Sequence, residues 1–204
     1  MFDSGISVKD LIEELKTTEV DVALDIPNAT YVTWLNSLQQ LLYSEIIKEQ
    51  RKVVIEQYPQ NPFPIMSFLG EDDECVPIFE DIHAVYADKT QLMKSTLTSG
   101  VIFPNTFYKD NNDVGFNVAP EPENLTIVYI VKPALVEVDE DDEIIDANVM
   151  LPIEFIDLAK SKLRGEAYKL VNEDGIAAKW LNDYNILLET FKSWIVEKSP
   201  KMGL

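Results

Sequence analysis

The sequence predicts an α+β protein, mainly an α-helical bundle built from N- and C-terminal helices with an inserted small β-subdomain. Three observations carry that prediction. Apolar residues recur at helical spacing near both ends of the chain. The middle changes to short alternating runs broken by proline and turn residues. The 204 residues, 46% of them apolar, are enough to bury the core of one domain carrying an insertion. The resulting division is 1–52 and 150–197 for the bundle, 53–136 for the insert, 137–149 for an acidic loop and 198–204 for a C-terminal tail.

The first helix is expected over residues 7–16. Ser7 is its N-cap, Asp10 occupies the capping-box position, and Val8, Leu11, Ile12 and Leu15 share one face. A loop follows, and Asn28 is expected to cap a long helix over residues 29–50. Its apolar face is Tyr31, Trp34, Leu35, Leu38, Leu41, Leu42 and Ile46. Asn36, Gln39, Gln40, Glu45 and Lys48 form the polar face. Strands are expected at 53–57, 78–87, 101–108, 114–119 and 125–132. The turn-prone Lys109–Asp113 makes a hairpin of the third and fourth, and LTIVYIVK is the strongest run. Pro152 opens the penultimate helix at a position where its missing N–H is harmless. Phe155, Leu158, Ala159, Leu163, Ala167 and Leu170 form the buried face of that helix. Asp174-Gly175 marks a break. The last helix, 175–197, carries Ile176, Ala177, Trp180, Tyr184, Leu187, Leu188, Phe191, Trp194 and Ile195 in a near-heptad seam suited to antiparallel packing.

Charge narrows the function. Seventeen basic and 36 acidic residues give −19, and the runs Glu71–Glu74 and Glu137–Asp146 supply 11 of the acids. Such a chain cannot neutralise phosphates over a broad face, which argues against ordinary nucleic-acid binding. No apolar run approaches the roughly 20 residues of a membrane span. The start, MFDSGISVKD, has neither the basic nor the apolar stretch of a secretory signal. One cysteine and one histidine leave no internal disulfide and no zinc site of the usual kind. Cys75 follows four acids and reads as an inert thiol, while His83 reads as a structural, half-exposed strand residue. Asp110, Asn112, Gly115 and Glu121 follow calcium-loop spacing, but Val114 fills a ligand position and strands flank the loop, so calcium is not expected there. Neither a nucleophile elbow nor a phosphate loop is present. Trp34 and Trp180 read as core. Trp194, at the end of the last helix, is the one tryptophan that also suits a partner-binding anchor.

Three stretches carry a resemblance: YVTWLN opening the long N-terminal helix, LTIVYIVKP followed by an acidic spacer and LPIEF, and the closing helix pair up to Trp194. This order resembles the head–tail adaptor, or connector, proteins of tailed bacteriophages, over most of the chain in arrangement and through short motifs of low specificity. The resemblance implies a structural virion protein and not an enzyme. Such a protein forms a ring with copies of itself, dodecameric in the virion, below the portal protein. It joins head to tail, carries tail or nozzle proteins and extends a channel through which DNA passes without specific binding. No cofactor, metal or membrane is implied. The implied location is the virion, with assembly in the host cytoplasm. By position, the resemblance assigns portal docking to Trp194, Ile195, Lys198, Lys201, Met202 and Leu204.

Electrostatics fits that role in one respect, since a wall of carboxylates repels DNA and keeps it free to slide. Asp139, Glu140, Asp141, Asp142 and Glu143 are the candidate channel wall, with an exterior loop as the equal alternative. A second reading is an acidic binding module, a DNA mimic or inhibitor acting on a basic host protein. It would present its acids as one stripe. A third, an enzyme with a carboxylate pair, would need convergent acids in a pocket.

Overall fold

Ser7 starts the first helix as expected: its Oγ accepts the Asp10 N–H at 3.0 Å. Helix α1 runs Val8–Thr18 and buries Val8, Leu11, Ile12 and Leu15. The computed structural model describes residues 2–18, 25–57, 61–64, 75–95, 103–110 and 113–198, with backbone alone at 75–81 and 110. The expected inert thiol of Cys75, the Glu71–Glu74 run, Asn112 of the calcium-like spacing and the tail from residue 199 onward lie outside what is described.

The chain folds as two compact units, one of Met1–Ile47 with Leu135–Leu204 and one of Lys48–Ala134. In the first, α2 spans Asn28–Leu41 and continues as a π-helical turn, Leu42–Ile47. It stops short of the expected residue 50 because Lys48 takes a positive φ of 50°, which a helix cannot continue through. A 3₁₀ turn, Ile153–Phe155, leads into α3, Ile156–Leu170, and α4 is the longest element, Asp174–Lys198. The core gathers α1, α2, α3 and α4 around Val136, Val149 and Leu151 of the connecting segment. That segment pairs with the N-terminus through Ser4 N–H to Val149 O (3.1 Å), Val149 N–H to Ile6 O (2.9 Å) and Val8 N–H to Ala147 O (2.8 Å). Irregular chain therefore sits among the helices and takes part in their core.

Among the described residues, the second unit is a seven-stranded sheet in the order β1-β7-β3-β4-β5-β6-β2. Its strands are β1 Gln50–Ile55, β2 Phe63–Pro64, β3 Cys75–Ala87, β4 Thr90–Lys94, β5 Thr106–Asp110, β6 Asp113–Asn117 and β7 Leu125–Pro133. All neighbours are antiparallel except β4 and β5. The expected hairpin is present as β5–β6, with Tyr108 opposite Gly115. The Tyr108 ring lies against Gly115 so closely that a Cβ at 115 would meet it, the aromatic covering the bare backbone of a strand glycine. Asn61 extends the sheet with its side chain: Nδ2 donates to Phe116 O (2.7 Å) and Oδ1 accepts the Phe116 N–H (3.0 Å).

These strands correct the expected fold class. A mixed sheet of seven strands makes up a whole unit, so the protein is not mainly an α-helical bundle with a small β-subdomain. The expectation recognised strands by apolar runs. Strand β1 opens on Gln50, Arg51 and Lys52, which read as the end of a helix, and β4 buries only Leu92. Their hydrogen-bonded neighbours, distant in sequence, make them strands.

Candidate functional site

Helices α3 and α4 form a tight antiparallel hairpin whose turn is built by asparagine. Asn172, at φ 64°, donates to Lys169 O (3.2 Å), and Glu173 N–H reaches Tyr168 O (2.9 Å). This is a Schellman stop with Asn in the left-handed position, where a short polar side chain is tolerated. The expected break at Asp174-Gly175 is therefore shifted: both residues open α4, where Asp174 favours the positive end of the helix dipole. Gly165 lets the helices close, since a Cβ there would lie 2.7 Å from Leu181 Cγ and Cδ2.

Helix α4 uses one row of side chains for its own core, Ala177, Tyr184, Phe191 and Ile195. Burial raises the Tyr184 hydroxyl above its ordinary pKa of 10.0. A second row at the same seven-residue spacing, Trp180, Leu187 and Trp194, is only half-buried. Beside it, Ile176 and Ile186 are 43% and 59% exposed. Leu170, assigned to the buried face of α3, is also exposed, at 56%. Between the two helices lies an open groove of about 450 Å³ lined by Asp157, Lys160, Ser161, Arg164, Trp180, Asp183, Ile186 and Leu187. Its cations are already engaged: Lys160 Nζ lies 2.6 Å from Glu14 Oε1, and the Arg164 guanidinium sits 4.7 Å over the Trp180 ring. The groove thus presents an indole and two aliphatic side chains within a rim carrying both signs of charge. The near-heptad seam was legible in sequence; which of its rows would face outward was not.

The residues assigned to docking fall into three environments. Trp194 belongs to an aromatic cluster, 5.6 Å from Phe2, 5.3 Å from Phe155 and 6.1 Å from Phe191 between ring centroids. Ile195 is 4% exposed, a core residue. Lys198 ends α4 with its Nζ 4.8 Å over the Trp194 ring. Lys201, Met202 and Leu204 lie outside the described residues.

The acidic segment is a folded turn. Val138 and Ile144 bridge across it, Asp139 N–H donates to Glu143 O (2.9 Å), and Ile145 N–H donates to Glu137 O (3.0 Å). Asp139 Oδ1 accepts the N–H groups of Asp141 and Glu143, both at 2.9 Å. Asp142 turns away from solvent: its carboxylate accepts the N–H groups of Asn28 (2.7 Å) and Ala29 (2.8 Å), and Asn28 Nδ2 donates to Asp142 O (2.7 Å). The cap of α2 is thus Asp142, supplied from more than a hundred residues away. Asn28, expected as that cap, instead lies inside the helix and binds the turn. Glu140, Asp141 and Glu143 remain exposed, with Lys9 Nζ 3.7 Å from Glu143.

Two residues of the polar face of α2 likewise hold the connecting segment. Asn36 clamps Val136, its Nδ2 donating to the carbonyl (2.8 Å) and its Oδ1 accepting the N–H (3.0 Å). Gln39 is 1% exposed, and its Oε1 accepts the Met150 N–H at 2.6 Å. A segment packed on that face needs partners for its backbone, and these amides supply them.

His83 is exposed on β3. Among the described residues no group of three or more His, Cys, Asp or Glu side chains is placed to hold a metal ion, and no helix is long and apolar enough to cross a membrane. No protein-family model matches the chain, and no curated protein matches it.

Proposed function

We propose that this chain is a structural assembly protein of the head–tail adaptor kind, forming a ring below a portal and extending the DNA channel toward the tail. The observation that carries the reading is the outer side of α4, with Trp180 and Leu187 half-buried and Ile186 exposed along a groove. A chain of charge −19 repels its own copies, so association has to draw on apolar contact and on the few places where cations are concentrated. The α3–α4 groove offers the apolar contact, through Trp180, Ile186 and Leu187, within a rim that carries Lys160 and Arg164 together with Asp157 and Asp183. A groove on one face meeting a different face of the next copy is a heterologous contact, the kind that closes into rings.

The acidic-mimic reading draws less support. Asp142 of the densest acidic run spends both carboxylate oxygens on backbone N–H groups of its own chain, which takes it out of a stripe that would imitate phosphates and equally out of a channel wall, leaving Asp139, Glu140, Asp141 and Glu143 exposed.

The test is to mix the full chain with a dodecameric portal and follow added mass by light scattering and negative-stain imaging. Twelve-fold addition, or rings, supports the reading. Ile186→Glu, at the exposed residue of the groove, is expected to abolish that addition while the far-ultraviolet circular dichroism stays unchanged. A chain that ignores portals and binds a basic protein tightly as a monomer refutes the adaptor reading in favour of the mimic.

A further inference from the structure

We propose that residues 137–146 form a latch, held shut on the N-terminus of α2 by the Asp142 carboxylate and able to open as one piece while the rest of its unit stays folded. This inference does not depend on the adaptor reading.

The segment is fixed firmly on both sides. Before it, Val136 is gripped by both atoms of the Asn36 amide. After it, residues 147–149 pair with the N-terminal segment, and Met150 donates to Gln39. Val149 and Leu151 are fully buried. Between these anchors the chain makes its own structure. The Val138–Ile144 bridge and the two N–H groups gathered by Asp139 hold the turn in shape from within. A turn with internal bonds of this kind moves as a unit.

What ties the turn to the helices is sparse. Val138 and Ile144 pack half-buried against the helical core, and the Lys9–Glu143 pair is exposed on both sides, a kind of contact worth little in water. The remaining tie is Asp142, with its two charge-assisted bonds to the first N–H groups of α2 and one bond back from Asn28. Two terms work against closure. Asp142 sits at φ 61°, a left-handed conformation that costs a non-glycine residue free energy. Seven acids within ten residues also repel one another. Closure thus rests on the Asp142 carboxylate at one helix end and on the partial burial of Val138 and Ile144 against the helical core, balanced against repulsion spread over the whole turn. Opening uncovers the Asn28 and Ala29 N–H groups, with Lys16 Nζ held 2.8 Å from Asn28 Oδ1 beside them.

Hydrogen exchange on the full chain tests the latch. In Asp142→Ala, amides of residues 137–146 and of the first turn of α2 are expected to exchange faster, by roughly tenfold, the scale of a lost cap. Protection at Val136, at residues 147–151 and in α3 and α4 is expected to stay as in the parent. Glu140→Ala, at an exposed position of the same turn, is the control that leaves exchange unchanged or slightly slowed. If Asp142→Ala does not fold, Asp142→Asn keeps one acceptor and loses the charge, and it is expected to show the same pattern at smaller size. Faster exchange spread evenly through the helical unit, or none at all in the latch, overturns the proposal.

Discussion

Asn36→Leu separates a solvated helix face from a structural clamp. On the periodicity of α2, Asn36 belongs to the exposed face, where substitutions shift stability by no more than about 0.5 kcal/mol. In the structure its amide satisfies both the N–H and the carbonyl of Val136, a residue 8% exposed. Leucine at 36 leaves both groups without a partner, and each such group costs about 1–3 kcal/mol. The helix propensity of leucine returns a few tenths of a kcal/mol. The net expectation is a loss of about 1.5–5.5 kcal/mol, or roughly 3–22 °C in Tm for a chain of this size. Asn36→Asp is expected to lose a similar amount, since it keeps the acceptor for the Val136 N–H and sets a carboxylate oxygen against the Val136 carbonyl. The assay is urea unfolding followed by tryptophan fluorescence. Trp34, Trp180 and Trp194 all belong to the Met1–Ile47 and Leu135–Leu204 unit, so the signal reports that unit alone. Ser37→Ala, next along the helix and exposed, is the control. A loss below about 0.5 kcal/mol in Asn36→Leu refutes the clamp.

Two further substitutions probe the α3–α4 hairpin. Gly165→Val forces a side chain into Leu181 and is expected to cost about 1–3 kcal/mol, part of it recovered in the double variant with Leu181→Ala; additive losses in a double-mutant cycle count against the close approach. Tyr184 carries a pKa raised by burial, so as pH climbs past 10.0 the unfolded chain gives up its hydroxyl proton first. Stability from this group is complete below that pH and is lost as pH rises through the folded value. Tyr184→Phe is therefore expected to flatten the alkaline fall of the urea midpoint, and identical slopes in parent and variant contradict the assignment.

Helix existence was legible because it depends on local spacing. The face of α1 and its Ser7 cap follow from local spacing, and burial agrees residue by residue there; the α4 seam was legible as a helix, but only Ala177, Tyr184, Phe191 and Ile195 of its nine expected residues are buried. The β5–β6 hairpin and β7 were legible for the corresponding reason, alternation bounded by turn residues. Periodicity does not tell whether a polar face meets water or another segment. Asn36 and Gln39 sit where a solvent-facing residue would sit, and only the return of residues 136–150 along α2 makes them clamps.

The sequence by itself determined that helices lie toward both ends of the chain with strands between them, the buried face of α1, and a net charge that any assembly has to overcome. Tertiary structure alone decided the extent of the sheet, the identity of the α2 cap and the fate of the acidic run. Strand pairing and capping by Asp142 join residues up to about a hundred positions apart, and such partners are chosen by which unsatisfied backbone groups the fold brings within hydrogen-bonding distance.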